Sequence, residues 1–251
     1  MKKLLAGLLL FIAAFAIFLI ATVPAGFALQ YLPANMPLRL AGIDGSIWNG
    51  SAARASWQNQ PIGRVQWQLS PFPLLLGKLK ADVDIAGEGV SAHGRLTASR
   101  DQVIVLNDTT IDADLAKLPL PPTLMATPGG KAHAIIEHAR IENRWPTELD
   151  ADITWQPARL LAPFELDAGK ATLKVSSANN QLNGDLRTEG ALDAKGKLTL
   201  SRNGAFSANI KVAPTQDTPR ELRDMLPMLG RPDSKGAVTV RQSLQLRGFP
   251  P

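Results

Sequence analysis

Beyond residue 60 the chain alternates apolar and polar residues with period two, the pattern of strands that hide one face and solvate the other. In Lys78–Ile85 the apolar set is Leu79, Ala81, Val83 and Ile85, opposite Lys78, Lys80, Asp82 and Asp84. Leu149, Ala151, Ile153 and Trp155 repeat it against Asp150, Asp152 and Thr154. Ala171, Leu173 and Val175 alternate with Lys170, Thr172, Lys174 and Ser176, and Phe206, Ala208, Ile210 and Val212 form another set. Val238–Leu246 closes the chain in the same style, Gln242 excepted. Further candidates lie at Ser51–Trp57, Val65–Leu69, Val90–Ala98, Val103–Leu106, Ile111–Leu115, Ala132–Ile141, Leu182–Leu186 and Leu198–Leu200. Turn residues fall between these runs: Gly87-Glu88-Gly89, Asn107-Asp108, Pro128-Gly129-Gly130, Asn179-Asn180 and Arg202-Asn203-Gly204. The spacing predicts about a dozen strands joined as consecutive antiparallel hairpins.

Two segments depart from this alternation. Leu4–Val23 is an uncharged, mostly apolar run, long enough as a helix to cross a hydrocarbon core of about 30 Å. Lys2 and Lys3 precede it, which predicts a cytoplasmic N-terminus and places everything after Pro24 across the membrane. A cleavable signal peptide is the alternative, with Ala25, Gly26 and Ala28 as a loose cleavage site; both readings export the remainder. The second segment is a short helix. Thr218 as N-cap, Pro219 in the first turn and Glu221 as capping-box partner predict its start. Leu222, Met225, Leu226 and Leu229 mark its apolar stripe, Pro227 is expected to cut it short, and Gly230 and Pro232 end it.

A strand–elbow–strand unit recurs. Val65-Gln66-Trp67-Gln68 leads through Pro71, Pro73 and Leu74-Leu75 to Gly77-Lys78; Ile153-Thr154-Trp155-Gln156 leads through Pro157 and Leu160-Leu161 to Gly169-Lys170. The expected layout is residues 1–3 cytoplasmic, 4–23 transmembrane, 24–38 linker and 39–251 a periplasmic β-domain. Within it, lobes 39–130 and 131–251 would meet near the proline-rich connector Leu118–Thr127. One short helix cannot cover so many half-apolar strands. The fold class is therefore mainly β, with a transmembrane helix followed by a curved antiparallel sheet, a partial barrel or U-shaped meander. Its interior is either a filled core or a greasy groove; Ala81, Ala92, Ala98, Ala113, Ala151, Ala171 and Ala208 would let opposing walls close into a core.

Composition removes function classes more than it adds them. There is no cysteine, so thiol catalysis, disulfides and cysteine-based zinc sites are excluded. The formal net charge is +5, and the two N-terminal lysines supply part of it. From Arg39 onward the charges are interspersed, which is not a nucleic-acid footprint. His133 and His138 flank Ala134–Glu137 without metal-site spacing, and five residues apart on a strand they would point to opposite faces. With His93 they read as solvated or locally bonded. The carboxylate pairs Asp82/Asp84, Asp112/Asp114 and Asp150/Asp152 could serve hydrolysis or a hard metal, but lie on polar strand faces. No catalytic, cofactor or metal residue is assigned. Trp67 and Trp155 follow the inward register, whereas Trp48 could serve either as a structural corner or on a docking surface.

The stretch Pro37-Leu38-Arg39-Leu40-Ala41-Gly42-Ile43-Asp44-Gly45-Ser46-Ile47-Trp48-Asn49-Gly50-Ser51-Ala52, after Lys-Lys and one apolar helix, resembles protein N of the type II (general) secretion pathway. Leu226-Pro227-Met228-Leu229-Gly230 followed by Gly236-Ala237-Val238 is similar to that family's C-terminal region. The resemblance implies a non-enzymatic inner-membrane accessory subunit, partnered by other secretion subunits and inner-membrane lipid, and kin to AsmA-like β-rich proteins that hold lipid in curved sheets. It supplies no catalytic residues. Gly42, Gly45, Trp48 and Gly50 are the candidate interaction surface, and a lipid-binding or lipid-transfer module is the rival function.

Overall fold

The computed structural model describes residues 22–29, 38–58, 60–118, 127–162 and 165–246. The expected span Leu4–Val23 lies outside them except for its last two residues, as does most of the proline-rich connector. Among the described residues no helix is long and apolar enough to cross a membrane. The chain forms one antiparallel sheet of 14 strands whose order follows the sequence. The strands are β1 (Leu38–Gly45), β2 (Asn49–Trp57), β3 (Gln60–Ser70), β4 (Lys78–Ala86), β5 (Val90–Ser99), β6 (Val103–Asp114) and β7 (Thr127–Glu142). They continue as β8 (Trp145–Ala162), β9 (Leu166–Asp167), β10 (Lys170–Ala178), β11 (Gln181–Glu189), β12 (Leu192–Ser201), β13 (Ala205–Pro214) and β14 (Val238–Gln245). Among the described residues the short β9 pairs only with β8, and β1 and β14 are the two edges. Three helices of the described residues accompany the sheet: α1 (Ala25–Leu29), α2 (Pro71–Leu75) and α3 (Arg220–Leu229).

Register explains how alternation becomes a fold. One apolar row crosses the sheet from edge to edge, beginning Ile43–Ala52–Val65–Ile85–Ala92–Ile111–Ala134–Ile153. It continues through Leu173, Leu186, Gly196 and Ile210 to Val240. On the opposite face a polar row includes Asp84–His93, and Asp152–Lys174–Asp185–Lys197. Signs there alternate from strand to strand, the favourable arrangement for neighbours about 5 Å apart. The face is not perfectly polar, since Ile135 sits on it 41% exposed.

The filled core expected from the small residues does not form. Of the 13 apolar residues buried among the described ones, ten are alanines; the large ones are Trp145, Leu226 and Val238. The large side chains of the apolar row are half-buried instead. The physical reason is that no second layer stands over the sheet, so a Leu or Ile is covered only by its cross-strand neighbours. An alanine between two larger residues disappears beneath them.

Local predictions that failed did so where a bulge replaced a turn. Asn107-Asp108 does not end a strand: β6 runs through it, with Asp108 at φ 47. Pro128-Gly129-Gly130 lies inside β7, where Gly130 has φ 89 and the pairing with β8 slips. A second slip between Ile136 and His138 puts both Ala134 and Ala139 on the apolar face and returns His138 to the charged one. His133 and His138 therefore share a face, contrary to simple counting. The turns at Gly87–Gly89, Asn179-Asn180 and Arg202–Gly204 are hairpins as predicted.

The helix over 220–229 forms but is capped differently. No side-chain cap hydrogen bond is made at its start. The Thr218 hydroxyl instead donates to the Ala191 carbonyl and accepts from the Thr215 amide, tying the helix entrance to the β11–β12 turn. Nor does Pro227 end the helix, which continues to Leu229.

Antiparallel order sends successive connections to alternate ends of the sheet. Connections 45–49, 70–78, 99–103, 142–145, 178–181 and 201–205 share one end, here the proximal end. The α3 crossing between β13 and β14 lies at the other, distal end. The two Trp-elbow units fall at opposite ends, because β3 and β8 run in opposite directions. In each, the indole N–H donates to a backbone carbonyl: Trp67 to Ile47 (3.1 Å) and Trp155 to Gly129 (2.8 Å).

Trp145 was not singled out by periodicity, yet it is the largest fully buried side chain, 1% exposed. It follows the two-residue turn Asn143-Arg144, whose φ values of 49 and 62 suit a tight primed hairpin. Truncating it as Trp145→Ala should cost about 3–5 kcal/mol, read as a lowered urea midpoint in far-UV circular dichroism.

Candidate interaction surface

The proximal corner is built by backbone geometry that only glycine permits. Gly45 takes φ 84, and a Cβ there would lie 2.5 Å from the Asn49 carbonyl oxygen. Ser46 N–H donates to that carbonyl (2.9 Å), while the Ser46 hydroxyl accepts from Asn49 N–H (3.1 Å). Gly50 is buried under the Trp67 indole, and a Cβ would come 2.6 Å from its ring. The Trp48 carbonyl accepts from Leu69 N–H (2.6 Å), the last rung before α2. Gly45, Trp48 and Gly50 thus form one turn, as the motif suggested. Gly42 stands apart along β1 with φ 66, facing Ala53.

The chain that follows the apolar N-terminal run is tied to the same turn. Ile47 N–H donates to the Val23 carbonyl (3.1 Å), and Pro24 forms an isolated bridge with Ser46. Ala25, at the start of α1, is 1% exposed. The corner is therefore first a structural joint, where residues 22–29, the β1–β2 turn and the end of β3 lock together.

The far edge has its own latch. The Asp233 carboxylate accepts from the Lys235 and Ala237 amides (2.9 and 3.0 Å) and pairs with Lys211 Nζ at 2.8 Å. These contacts set the entry into β14 beside β13. They hold the Asp233 pKa down at about 2, with Lys211 the largest cause and the two amides next. Asp167, bonded by Arg159 and the Gly169 amide, is lowered in the same sense. Next to β14, α3 buries Leu226 but leaves Met225 (42%), Met228 (83%) and Leu229 (58%) exposed.

The carboxylate pairs do not assemble into chemistry. Asp84 bonds His93 (2.6 Å), while Asp82 and Asp108 share Arg95 (3.3 and 3.2 Å). An open hollow of about 540 Å³ includes Asp112 and Asp114, but Asp112 is held by His133 (2.7 Å) and Asp114 faces Lys117 (3.7 Å). Asp152 pairs with Lys174 (3.2 Å), and among the described residues these carboxylates bond separate neighbours and do not converge on a common ligand point. His138 bonds Asn107 (2.9 Å) and Glu148 (3.1 Å), so all three histidines are locally bonded as read from the sequence. Among the described residues no group of three or more metal-ligating side chains converges.

Sequence reasoning missed the exposure of α2 and α3. Phe72, Leu75 and Leu76 are 79%, 85% and 80% exposed. The available signal was the unalternated run Pro71-Phe72-Pro73-Leu74-Leu75-Leu76 between two strands, which was read only as an elbow.

Comparison with known proteins places these elements in context. The family model described as type II secretion system (T2SS), protein N, matches residues 36–241, a span that begins just before β1 and ends within β14. Type II secretion system protein N of Vibrio cholerae serotype O1 is 27% identical, the alignment covering 98% of this chain and 100% of that protein. The protein of the same name from Aeromonas hydrophila is 26% identical over 96% and 97% of the two chains, and that from Pectobacterium carotovorum 24% over 91% and 92%. No solved structure matches.

Two outcomes follow from the corner and the latch. Gly50→Ala should cost roughly 1–3 kcal/mol, because a methyl group must displace the Trp67 ring, and should shift the tryptophan emission spectrum. The Asp233 latch has a folded pKa below the ordinary carboxylate value, so its contribution is complete above about pH 4 and is lost as pH falls toward 2. Protection factors of β14 amides, exchange rates corrected for their intrinsic pH dependence, should fall in that window, and Asp233→Asn should abolish that fall.

Proposed function

This chain belongs to the type II secretion system protein N family, and on that footing we propose that it is an inner-membrane accessory subunit of the secretion machinery. In this proposal Leu4–Val23 is a single membrane anchor with a cytoplasmic N-terminus. The β-sheet stands in the periplasm and contacts other secretion subunits, without catalysing a reaction. The observation that carries the reading is the match of nearly the whole sheet to the family, supported by relatives of the same length. Two features suit a protein-binding role. β1 and β14 each have a single ladder neighbour among the described strands, which leaves an edge for β-augmentation. Met228 and Leu229 offer an adaptable apolar contact beside the β14 edge. Asp82, Asp84, Asp112 and Asp152, each bonded to a cross-strand partner, favour a structural role for the charged face over hydrolysis.

A second reading has one observation behind it. The apolar row crosses every main strand yet its large members stay half-exposed, a surface on which an acyl chain could lie. The AsmA-like kinship suggested by resemblance belongs with this reading, as a periplasmic lipid-binding or lipid-transfer module.

Photo-crosslinkable residues placed at Asp44, Asn49, Thr239 and Ser243 in intact secreting cells separate the two. Recovery of other secretion subunits from the Thr239 and Ser243 edge is expected. Recovery of phospholipid alone from every position would overturn the subunit reading in favour of the lipid module.

A further inference from the structure

The most exposed apolar residues of the described chain are not on the sheet's apolar face but at its ends: Met228 stands alone at the distal end, and the other three cluster at the proximal one. Phe72, Leu75 and Leu76 project from the β3–β4 connection, together with Leu74 at 39%. Pro71 and Pro73 restrict the backbone there, Leu76 and Gly77 amides close the helix onto Pro73 and Leu74 carbonyls (3.0 Å each), and Gly77 at φ 71 turns the chain into β4. The elbow is a shaped apolar tip, and nothing in the sheet's own packing calls for it.

Its position says what it meets. Residues 23 and 24 pair with Ile47 and Ser46, and the Trp48 carbonyl holds Leu69, three residues before Phe72. The elbow therefore stands at the end of the sheet where the chain leaves its apolar N-terminal run. The opposite end is far away: β3 alone has 11 residues, about 36 Å of extended chain. Two cations stand beside the tip: Lys78 follows it and Arg100 lies over Gly77. Asp44 and Asp101 lie at the two adjacent turns of that end, while Arg144 and Arg202 sit two and four hairpins farther along it.

We infer that the elbow Pro71–Leu76 is a second membrane contact, laying Phe72, Leu75 and Leu76 into the phospholipid leaflet from which residues 22–29 emerge. This rests on the reading of Leu4–Val23 as a membrane anchor. One anchor fixes a point and leaves the sheet free to swing; a second contact at the same end of the sheet fixes its tilt. Aromatic and leucine side chains at the interface, flanked by Lys and Arg that reach the headgroups, are the chemistry of interfacial attachment. The sheet would then stand end-on, its distal end and α3 turned away from the bilayer.

The absence of cysteine makes the test direct. Full-length Ala14→Cys, Leu75→Cys and Met228→Cys variants, each labelled with an environment-sensitive fluorophore, are reconstituted into phosphatidylethanolamine–phosphatidylglycerol vesicles containing brominated phospholipid. The expected result is loss of fluorescence for the labels at 14 and 75 and none at 228. Quenching at 14 alone would overturn the inference while leaving the anchor intact. No quenching at 14 would remove the anchor and the inference with it. Equal quenching at 75 and 228 would indicate non-directional adsorption and also overturn it. A combined Phe72→Asp and Lys78→Glu background should abolish quenching of the label at 75 without changing that at 14.

Discussion

A single sheet with one apolar face and no layer packed over it must stabilise itself within its own plane. Cross-strand pairing is the interaction on which everything else here depends. Each strand is held to its neighbours by backbone ladders, and each apolar side chain is covered by the residues opposite it on adjacent strands. Such pairs contribute only about 0.2–1 kcal/mol apiece, so the fold needs many of them in register. The apolar row from Ile43 to Val240 supplies that continuity, and a one-residue slip would turn a strand's apolar set into water. Bulges at Asp108, Gly130 and Ile136/His138 absorb irregularities of the sequence without breaking the row.

The same constraint shapes the surface. An uncovered sheet invites edge-to-edge association, and the charged face, with its alternating Asp and Lys, resists unspecific stacking while leaving the edges available. That face holds its three histidines and several of its carboxylates in cross-strand pairs, so residue types suited to acid–base chemistry occur there in quantity without converging. Among the described residues the most exposed apolar side chains and the strand edges lie instead at the sheet's ends and sides: the elbow at the proximal end, and α3 with β14 at the far side.

The proximal corner links architecture to attachment. Gly45 and Gly50 are required by close backbone and ring approaches, and those approaches let one turn hold both the N-terminal strap and the last rung of β3. Residues 22–29, the end of β3 and the edge strand β1 are thereby held at one joint.

Period-two alternation by itself determined the β-rich class, the hairpin order and the inward sets such as Leu79–Ile85 and Phe206–Val212, because side-chain direction in a strand is local. The uncharged N-terminal run and the glycine-bounded turn at Gly45–Gly50 were legible too, from composition and glycine spacing and not from alternation. Only the tertiary structure decided that Asn107-Asp108 is a bulge, since a positive φ serves a turn or a bulge equally and the partner strand chooses. It alone placed Trp145 in the interior, because a residue beside a turn carries no periodic signal. Thr218 left its expected cap for the Ala191 carbonyl, 27 residues away, a competition that no local motif reveals. Whether the apolar face is covered also lay beyond the sequence. An inward leucine reads the same in a core or on an open sheet, and what lies above it is set by how distant strands are arranged.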